Sequence, residues 1–247
     1  SVSQSGNILA VGAYLADFGG NSDAGAAYVY RIEANGSASH LTKVTAPDAA
    51  APVYFGRSVS QSGNILAVGA YSADPGGISD AGAAYLYRIE ANGSSSYLTK
   101  VSAPDAAAND YFGYFVSQSG NILAVGAYQV NTGGFTNAGA AYLYRLEANG
   151  SASFLSKVVA PDAALGDQFG VSLSQSGNIL TFGALTADSN GNVDAGAVYL
   201  FQLESNGSTT YLTKIIAPDT AAQDQFGCSV SQSGNILAVG DNYAYPG

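Results

Sequence analysis

The chain has 247 residues, 47% hydrophobic and only 11% charged, and its eight Lys and Arg against eighteen Asp and Glu give a formal charge of −10. That sign repels phosphate backbones and anionic lipid, so no nucleic-acid partner is expected, and with no apolar run of roughly 18 to 20 residues no membrane insertion is expected either. Cys228 is the single cysteine, which excludes an intrachain disulfide and a thiolate metal cluster and leaves the redox compartment open.

Thirty-one Gly and seventeen Tyr, with no Trp and no Met, suit short strands and tight turns better than helices. There is no basic and apolar leader and no initial Met, as expected of a processed chain or a piece of one.

From the N-terminus onward one string recurs. Ser-Gly-Asn places its glycine at Gly6, Gly63, Gly120, Gly177 and Gly234, a period of 57 residues. A fixed period of this size means repeat architecture. Residues 1–57 and 58–114 agree at 47 of 57 positions, so sameness between copies marks scaffold and difference marks candidate function. The expected organisation is one domain over 1–247, with repeats 1–57, 58–114, 115–171 and 172–228 and a partial repeat 229–247; either the chain is a segment of a longer propeller, or the unpaired A and B strands of residues 229–240 pair with something else.

Within the second copy, Ser58-Val59-Ser60 is a first extended segment (A), Gln61-Ser62-Gly63-Asn64 a turn, and Ile65 to Val68 a second segment (B). After a Gly-rich loop, Ala83 to Glu90 form a third (C), in which Tyr85 and Tyr87 share one face and Leu86 takes the other by the period of two. Asn92-Gly93 predicts a two-residue type I′ hairpin, returning the chain through Tyr97 to Val101 (D). Four antiparallel strands repeated in this way predict an all-β fold, a β-propeller of four-stranded blades. Segments A and B occur five times and C and D four, so four full blades and the A and B strands of a fifth are expected. No stretch keeps the 3.6-residue period of a helical solenoid.

Phe55-Gly56 before A, Val68-Gly69-Ala70 ending B, and Gly-Ala-Ala-Tyr at the start of C resemble the FG-GAP repeat of integrin α-subunit propellers, and most closely its bacterial and archaeal form. The resemblance covers the whole chain. It implies a non-enzymatic extracellular or cell-surface module, with adhesion, assembly or accessory roles. The acidic calcium loop that the resemblance implies between A and B is replaced here by Gln-Ser-Gly-Asn in every copy.

Catalytic residues are not found. His40, the only histidine, stands where other copies have Tyr97, Phe154 and Tyr211, which reads as a packing ring, and no second group completes a triad. Glu33, Glu90, Glu147 and Glu204 are expected to pair across the hairpin with Lys43, Lys100, Lys157 and Lys214. The Pro-Asp steps at Asp48, Asp105, Asp162 and Asp219 read as turns.

Three groups of candidate site residues remain. The position after Phe-Gly varies as Arg57, Tyr114, Val171 and Cys228, beside Asp110, Asp167 and Asp224, Tyr54 and Tyr111, and Gln168 and Gln225. This variable end is expected to bind a ligand, with Arg57, Tyr114, the three aspartates and the two glutamines as candidates. In the B-to-C loop, Asp188, Asn190, Asn192 and Asp194 alternate oxygen ligands as a hard cation such as calcium prefers; a solvated polar loop is the other reading, and no other cofactor is expected. Asn35, Asn92, Asn149 and Asn206 each begin an Asn-Gly-Ser sequon at a hairpin tip, where glycosylation and plain turn chemistry both account for the motif.

The expected partners are a protein, or further copies of the chain paired through the unpartnered strand edge of the half blade. A glycan is the alternative, as in a carbohydrate-binding propeller. A third reading is an accessory domain of a secreted hydrolase.

Overall fold

The computed structural model describes residues 1–49 and 52–243. Residues 50, 51 and 244–247, the last four belonging to the partial fifth repeat, lie outside the described residues. Eighteen β-strands and one 3-10 turn at Pro75–Gly77 are present, with no α-helix among the described residues.

The strands form four four-stranded antiparallel sheets and one two-stranded sheet, each in sequence order. The first comprises β1 (Val2–Ser5), β2 (Ile8–Ala13), β3 (Ala26–Ile32) and β4 (Ala38–Val44); the second β5 (Val59–Ser62), β6 (Ile65–Ala70), β7 (Ala83–Ile89) and β8 (Ser95–Val101). The third comprises β9 (Phe115–Ser119), β10 (Ile122–Ala127), β11 (Ala140–Leu146) and β12 (Ala152–Val158); the fourth β13 (Phe169–Ser176), β14 (Ile179–Ala184), β15 (Ala197–Leu203) and β16 (Thr209–Ile215). The pair β17 (Ser229–Ser233) and β18 (Ile236–Gly240) completes the set. These are four full propeller blades and the first half of a fifth, as the repeat predicts.

By contact the chain divides into two compact units, 1–123 with 145–153 and 124–144 with 154–247. In the first unit, β7 shows why the repeat cannot stand alone: Tyr85 on one face and Leu86 on the other are each 1% exposed. A strand buried on both faces needs a neighbouring sheet on each side. Phe55, fully buried, fills one of these interfaces edge-on to Tyr85 and Tyr87, at ring distances of 5.5 and 6.1 Å.

Glycine pairs bring consecutive sheets together. A Cβ on Gly69 would overlap the Gly113 carbonyl oxygen, and one on Gly12 the Gly56 carbonyl oxygen; Gly56 N–H donates to Gly69 O at 2.9 Å. In the second unit Gly126 faces Gly170 and Gly183 faces Gly227 in the same way. The Phe-Gly and Val-Gly-Ala strings are thus the two halves of one backbone clasp.

Edge N–H groups of the A strands are sealed by serines of the preceding sheet. Ser58 Oγ accepts from Val116 N–H at 3.0 Å and Ser60 Oγ from Gln118 N–H at 2.8 Å; in the second unit Ser174 Oγ accepts from Gln232 N–H at 3.0 Å. An unpaired backbone donor left dry would cost about 1–3 kcal/mol, which accounts for the Ser-Gln-Ser that recurs in all five copies, whereas the position of Ser58 becomes Phe115 in the third.

The C-to-D hairpin differs from the type I′ expectation. Glu90 N–H donates to Ser94 O at 2.8 Å and Gly93 N–H to Glu90 O at 2.9 Å, with positive φ at Gly93 (90°) and not at Asn92. This is a three-residue loop closed by a glycine bulge. Asn92 contributes through its side chain, whose Oδ1 accepts from Ser94 N–H at 2.9 Å and Ser94 O–H at 2.7 Å.

Candidate functional site

The first unit carries the candidate site at the end of its sheets where the B-to-C loops and D-to-A connections gather. Tyr14 and Tyr71 follow the Val-Gly-Ala that ends β2 and β6, while Tyr54 and Tyr111 precede Phe-Gly and Arg57 and Tyr114 follow it. Tyr54 and Tyr111 hold left-handed φ of 52° and 56°, an uncommon state for a bulky residue, fixed by backbone bonds from their N–H groups to Asp23 O and Asp80 O, both 3.1 Å.

The side chains assemble a tyrosine cluster. Tyr54 and Tyr71 stack in parallel, with ring centres 5.0 Å apart and 7° between planes. Tyr71 meets Tyr111 and Tyr114 edge-on at 5.6 and 5.5 Å, and Tyr14 lies 6.3 Å from Tyr54. Arg57 Nη2 donates to the Tyr114 hydroxyl at 2.7 Å, and its guanidinium carbon sits 4.3 Å from that ring centre. Tyr14 is 36% exposed and the other five side chains are partly exposed.

Of the predicted candidates, Arg57 and Tyr114 therefore meet. Asp110 of the same unit is 5% exposed, and its Oδ2 accepts from Ala107 N–H at 2.7 Å. Asp167 and Asp224 belong to the second unit, each 4% exposed, accepting from Ala164 and Ala221 N–H at 2.8 and 2.6 Å. All three aspartates cap a turn from inside, where the first copy has buried Val53. Burial pushes the Asp167 carboxyl above the ordinary carboxylate range. Gln225 accepts from Asn242 at 3.2 Å and, with Asp194 and Tyr243, lines a cavity of about 350 Å³; Gln168 is partly buried with φ 58°. Tyr14 and Tyr71 escape the sequence reading, although Gly-Ala-Tyr closing strand B in three copies was the available signal.

In the B-to-C loop the acidic and amide side chains serve the backbone. Asp188 Oδ1 accepts from Asp194 N–H at 3.0 Å, Asn192 Nδ2 donates to Thr220 O at 3.1 Å, and Asn190 and Asp194 take φ of 53°. The same six-residue link joins Asp17 to Asp23, Asp74 to Asp80 and Asn131 to Asn137 at 3.1, 2.8 and 3.0 Å. The third copy does this with two neutral amides, so hydrogen bonding and not charge is what the positions share. A cation held there would compete with the Asp194 amide for Asp188, and no group of three or more His, Cys, Asp or Glu placed for a metal occurs among the described residues.

Asn35, Asn92, Asn149 and Asn206 are exposed at the hairpin tips, each Oδ1 accepting from the O–H of the second residue on at 2.7 Å. His40 is exposed, with its ring 5.5 Å from Tyr30 and 6.2 Å from Tyr28. Its counterpart Tyr97 is 46% exposed, so this position is an outer ring contact and not core.

Lys100 and Lys214 pair elsewhere than with the expected Glu90 and Glu204 across the hairpin. Lys100 lies opposite Tyr85 in the register, far from the tip that holds Glu90. Instead Lys100 Nζ pairs with Asp48 Oδ2 at 2.9 Å, Tyr85 O–H donates to Asp48 Oδ1 at 2.8 Å, and in the second unit Lys214 pairs with Asp162 at 2.8 Å. Asp48 and Asp162 are thus latches onto the following sheet as well as turns.

The FG-GAP repeat model matches residues 1–30, 39–87, 96–144, 153–201 and 210–247. The chain belongs to the FG-GAP repeat family. Each internal FG-GAP match runs from a D strand through the next C strand, and so contains the Phe-Gly half of one clasp and the Val-Gly-Ala half of the next. No curated protein matches the chain.

Proposed function

We propose that this FG-GAP propeller is a non-enzymatic recognition module of an extracellular or cell-surface protein, acting in adhesion or surface assembly through its loop end. One observation carries the reading. Clasp glycines, sealing serines and turn side chains repeat from copy to copy, whereas the tyrosine cluster around Arg57 is built at positions that become Gln168, Gln225, Leu185, Val171 and Cys228 later in the chain. Scaffold held constant while a loop end diverges is how recognition surfaces are placed on rigid folds.

The chemistry available supports a role without catalysis. His40 has only rings against it, and Cys228 is a lone free thiol. In the described structure no helix is long and apolar enough to cross a membrane.

The test is retention of the fluorescently labelled chain on the surface of cells of its source, compared with Tyr71→Ala and with Asn206→Ala at a hairpin tip. Retention lost in the first variant and kept in the second is expected. Equal retention of both variants, or turnover of any substrate by the chain alone, would sink the reading.

A second route of contact, self-assembly through a strand edge, is favoured by β18, whose outer edge pairs with no strand among the described residues. Leu212 is 44% exposed, whereas the equivalent Leu155 lies under the hairpin glycine Gly207. Light scattering of the purified chain distinguishes this route: concentration-dependent growth in mass supports it, and a constant monomer mass rejects it.

A further inference from the structure

We infer that the tyrosine cluster around Arg57 is a binding site for a carboxylated saccharide, a sugar chain whose pyranose rings carry carboxylates. The inference rests on reading this loop end as the recognition surface. Its first support is the state of the Arg57 charge. In a chain of net charge −10, Lys100 and Lys214 hold aspartates, Lys43 lies over the rings of Phe18 and Tyr28, and Arg31 donates to Ala91 O. Arg57 has no carboxylate partner among the described residues; it makes one side-chain hydrogen bond, to the Tyr114 hydroxyl, and rests on that ring. A guanidinium has five donors in a planar fork suited to a carboxylate, so most of its capacity is uncommitted.

The second support is the surface beside it. Tyr54, Tyr71, Tyr111 and Tyr114 meet in stacked and edge-on pairs and Tyr14 lies tilted against Tyr54, which restricts their rotamers before any ligand arrives and lowers the entropic cost of binding. Partly exposed tyrosines offer apolar ring faces and hydroxyls together. A pyranose presents the matching pair, a C–H face and a rim of hydroxyls, and a ring carboxylate supplies the counter-charge for Arg57. A nucleic acid would need a track of cations, which one arginine does not supply.

The carboxylate could come from a uronic acid or a sialic acid, and the experiment separates them. With 17 Tyr and no Trp, intrinsic fluorescence reports on tyrosine alone. The chain is titrated, at low and physiological salt, with a glucuronate-containing tetrasaccharide, a sialylated trisaccharide, a neutral glucose tetramer and an Asp- and Glu-rich peptide, alongside Arg57→Gln and Tyr71→Ala.

Saturable binding of either carboxylated sugar, weakened about tenfold or more in Arg57→Gln and lost in Tyr71→Ala, is the expected result, and the arm that binds names the source. A matching far-ultraviolet spectrum and thermal midpoint for Arg57→Gln exclude misfolding. Equal binding of the neutral sugar, indifference to Arg57→Gln, binding of the peptide alone, or no binding at all would each overturn the inference. Tyr71-dependent retention on cells in the absence of saccharide binding would overturn it while leaving the recognition module standing.

Discussion

Lys100 reaches back 52 residues to place its ammonium nitrogen 2.9 Å from the Asp48 carboxylate, and the other oxygen of that carboxylate takes the buried Tyr85 hydroxyl. Lys100 also lies 5.3 Å over the Tyr85 ring. One aspartate therefore joins the edge of one sheet to two strands of the next. The ion pair is partly exposed and worth about 0–1 kcal/mol, whereas stranding the Tyr85 hydroxyl costs about 1–3 kcal/mol. Asp48→Ala is accordingly expected to destabilise more than Lys100→Met, read as the difference in urea midpoints. Equal effects would mean that the ion pair carries the latch.

Acid should release these latches. Burial alone would raise the Asp48 carboxyl, but hydrogen bonds from Lys100 and Tyr85 and the Lys100 charge outweigh it and hold its pKa below the usual range; Lys214 does the same for Asp162. A depressed folded pKa contributes stability that is complete above the unfolded value of about 3.9 and is lost as pH falls through the folded value. The urea midpoint should drop below about pH 4, and the double variant Asp48→Asn, Asp162→Asn should flatten that limb. Asp167, raised by burial, has the opposite sign: its contribution is complete below the unfolded value of about 3.9 and falls as pH rises through the folded pKa, so Asp167→Asn should lose less stability than the parent as pH rises above about 4.

Alkaline titration should divide the tyrosines into two classes. Burial, reinforced for Tyr85 by the Asp48 carboxylate, pushes the Tyr85, Tyr87 and Tyr199 hydroxyls far above their ordinary value. A raised folded pKa gives stability that is complete below the unfolded value of about 10 and lost as pH rises beyond it. Ultraviolet difference spectra should show some tyrosines ionising reversibly and the buried ones only with unfolding; a single reversible class would contradict the packing.

At the backbone clasp, Gly69→Ala drives a methyl into the Gly113 carbonyl, where neither partner is a flexible side chain. The expected cost is about 3 kcal/mol, and more if the sheets must part. Gly76→Ala meets no atom within 4 Å but must hold φ 65°, at about 1 kcal/mol. Similar denaturant midpoints for the two variants would show that the close approach is not rigid.

Strand order, blade count and the aromatic stacking of β7 were legible because they follow from period-two alternation and from a 57-residue repeat compared with itself. The hairpin type was not, since Asn-Gly suits both a type I′ turn and a glycine bulge, and only the Glu90 to Ser94 hydrogen bond separates them. The lysine partners were missed for a related reason: Glu90 is near Lys100 in the chain, but the register places Lys100 opposite Tyr85 and its charge meets the preceding repeat. Arg57 and Tyr114 were visible as variable positions. Their closure into a cluster with Tyr71 depends on three-dimensional neighbours one repeat apart, which alternation within a strand does not encode.

The sealing serines and the backbone N–H groups that donate to them are 58 residues apart in both units, one repeat and a single step along the strand. An interface written as position against position plus a constant is indifferent to how many times it is written. A gene that gained or lost one repeat by unequal recombination would still encode matching halves at the new junction, so lineages carrying this sequence can change length in whole blades without first evolving a new contact.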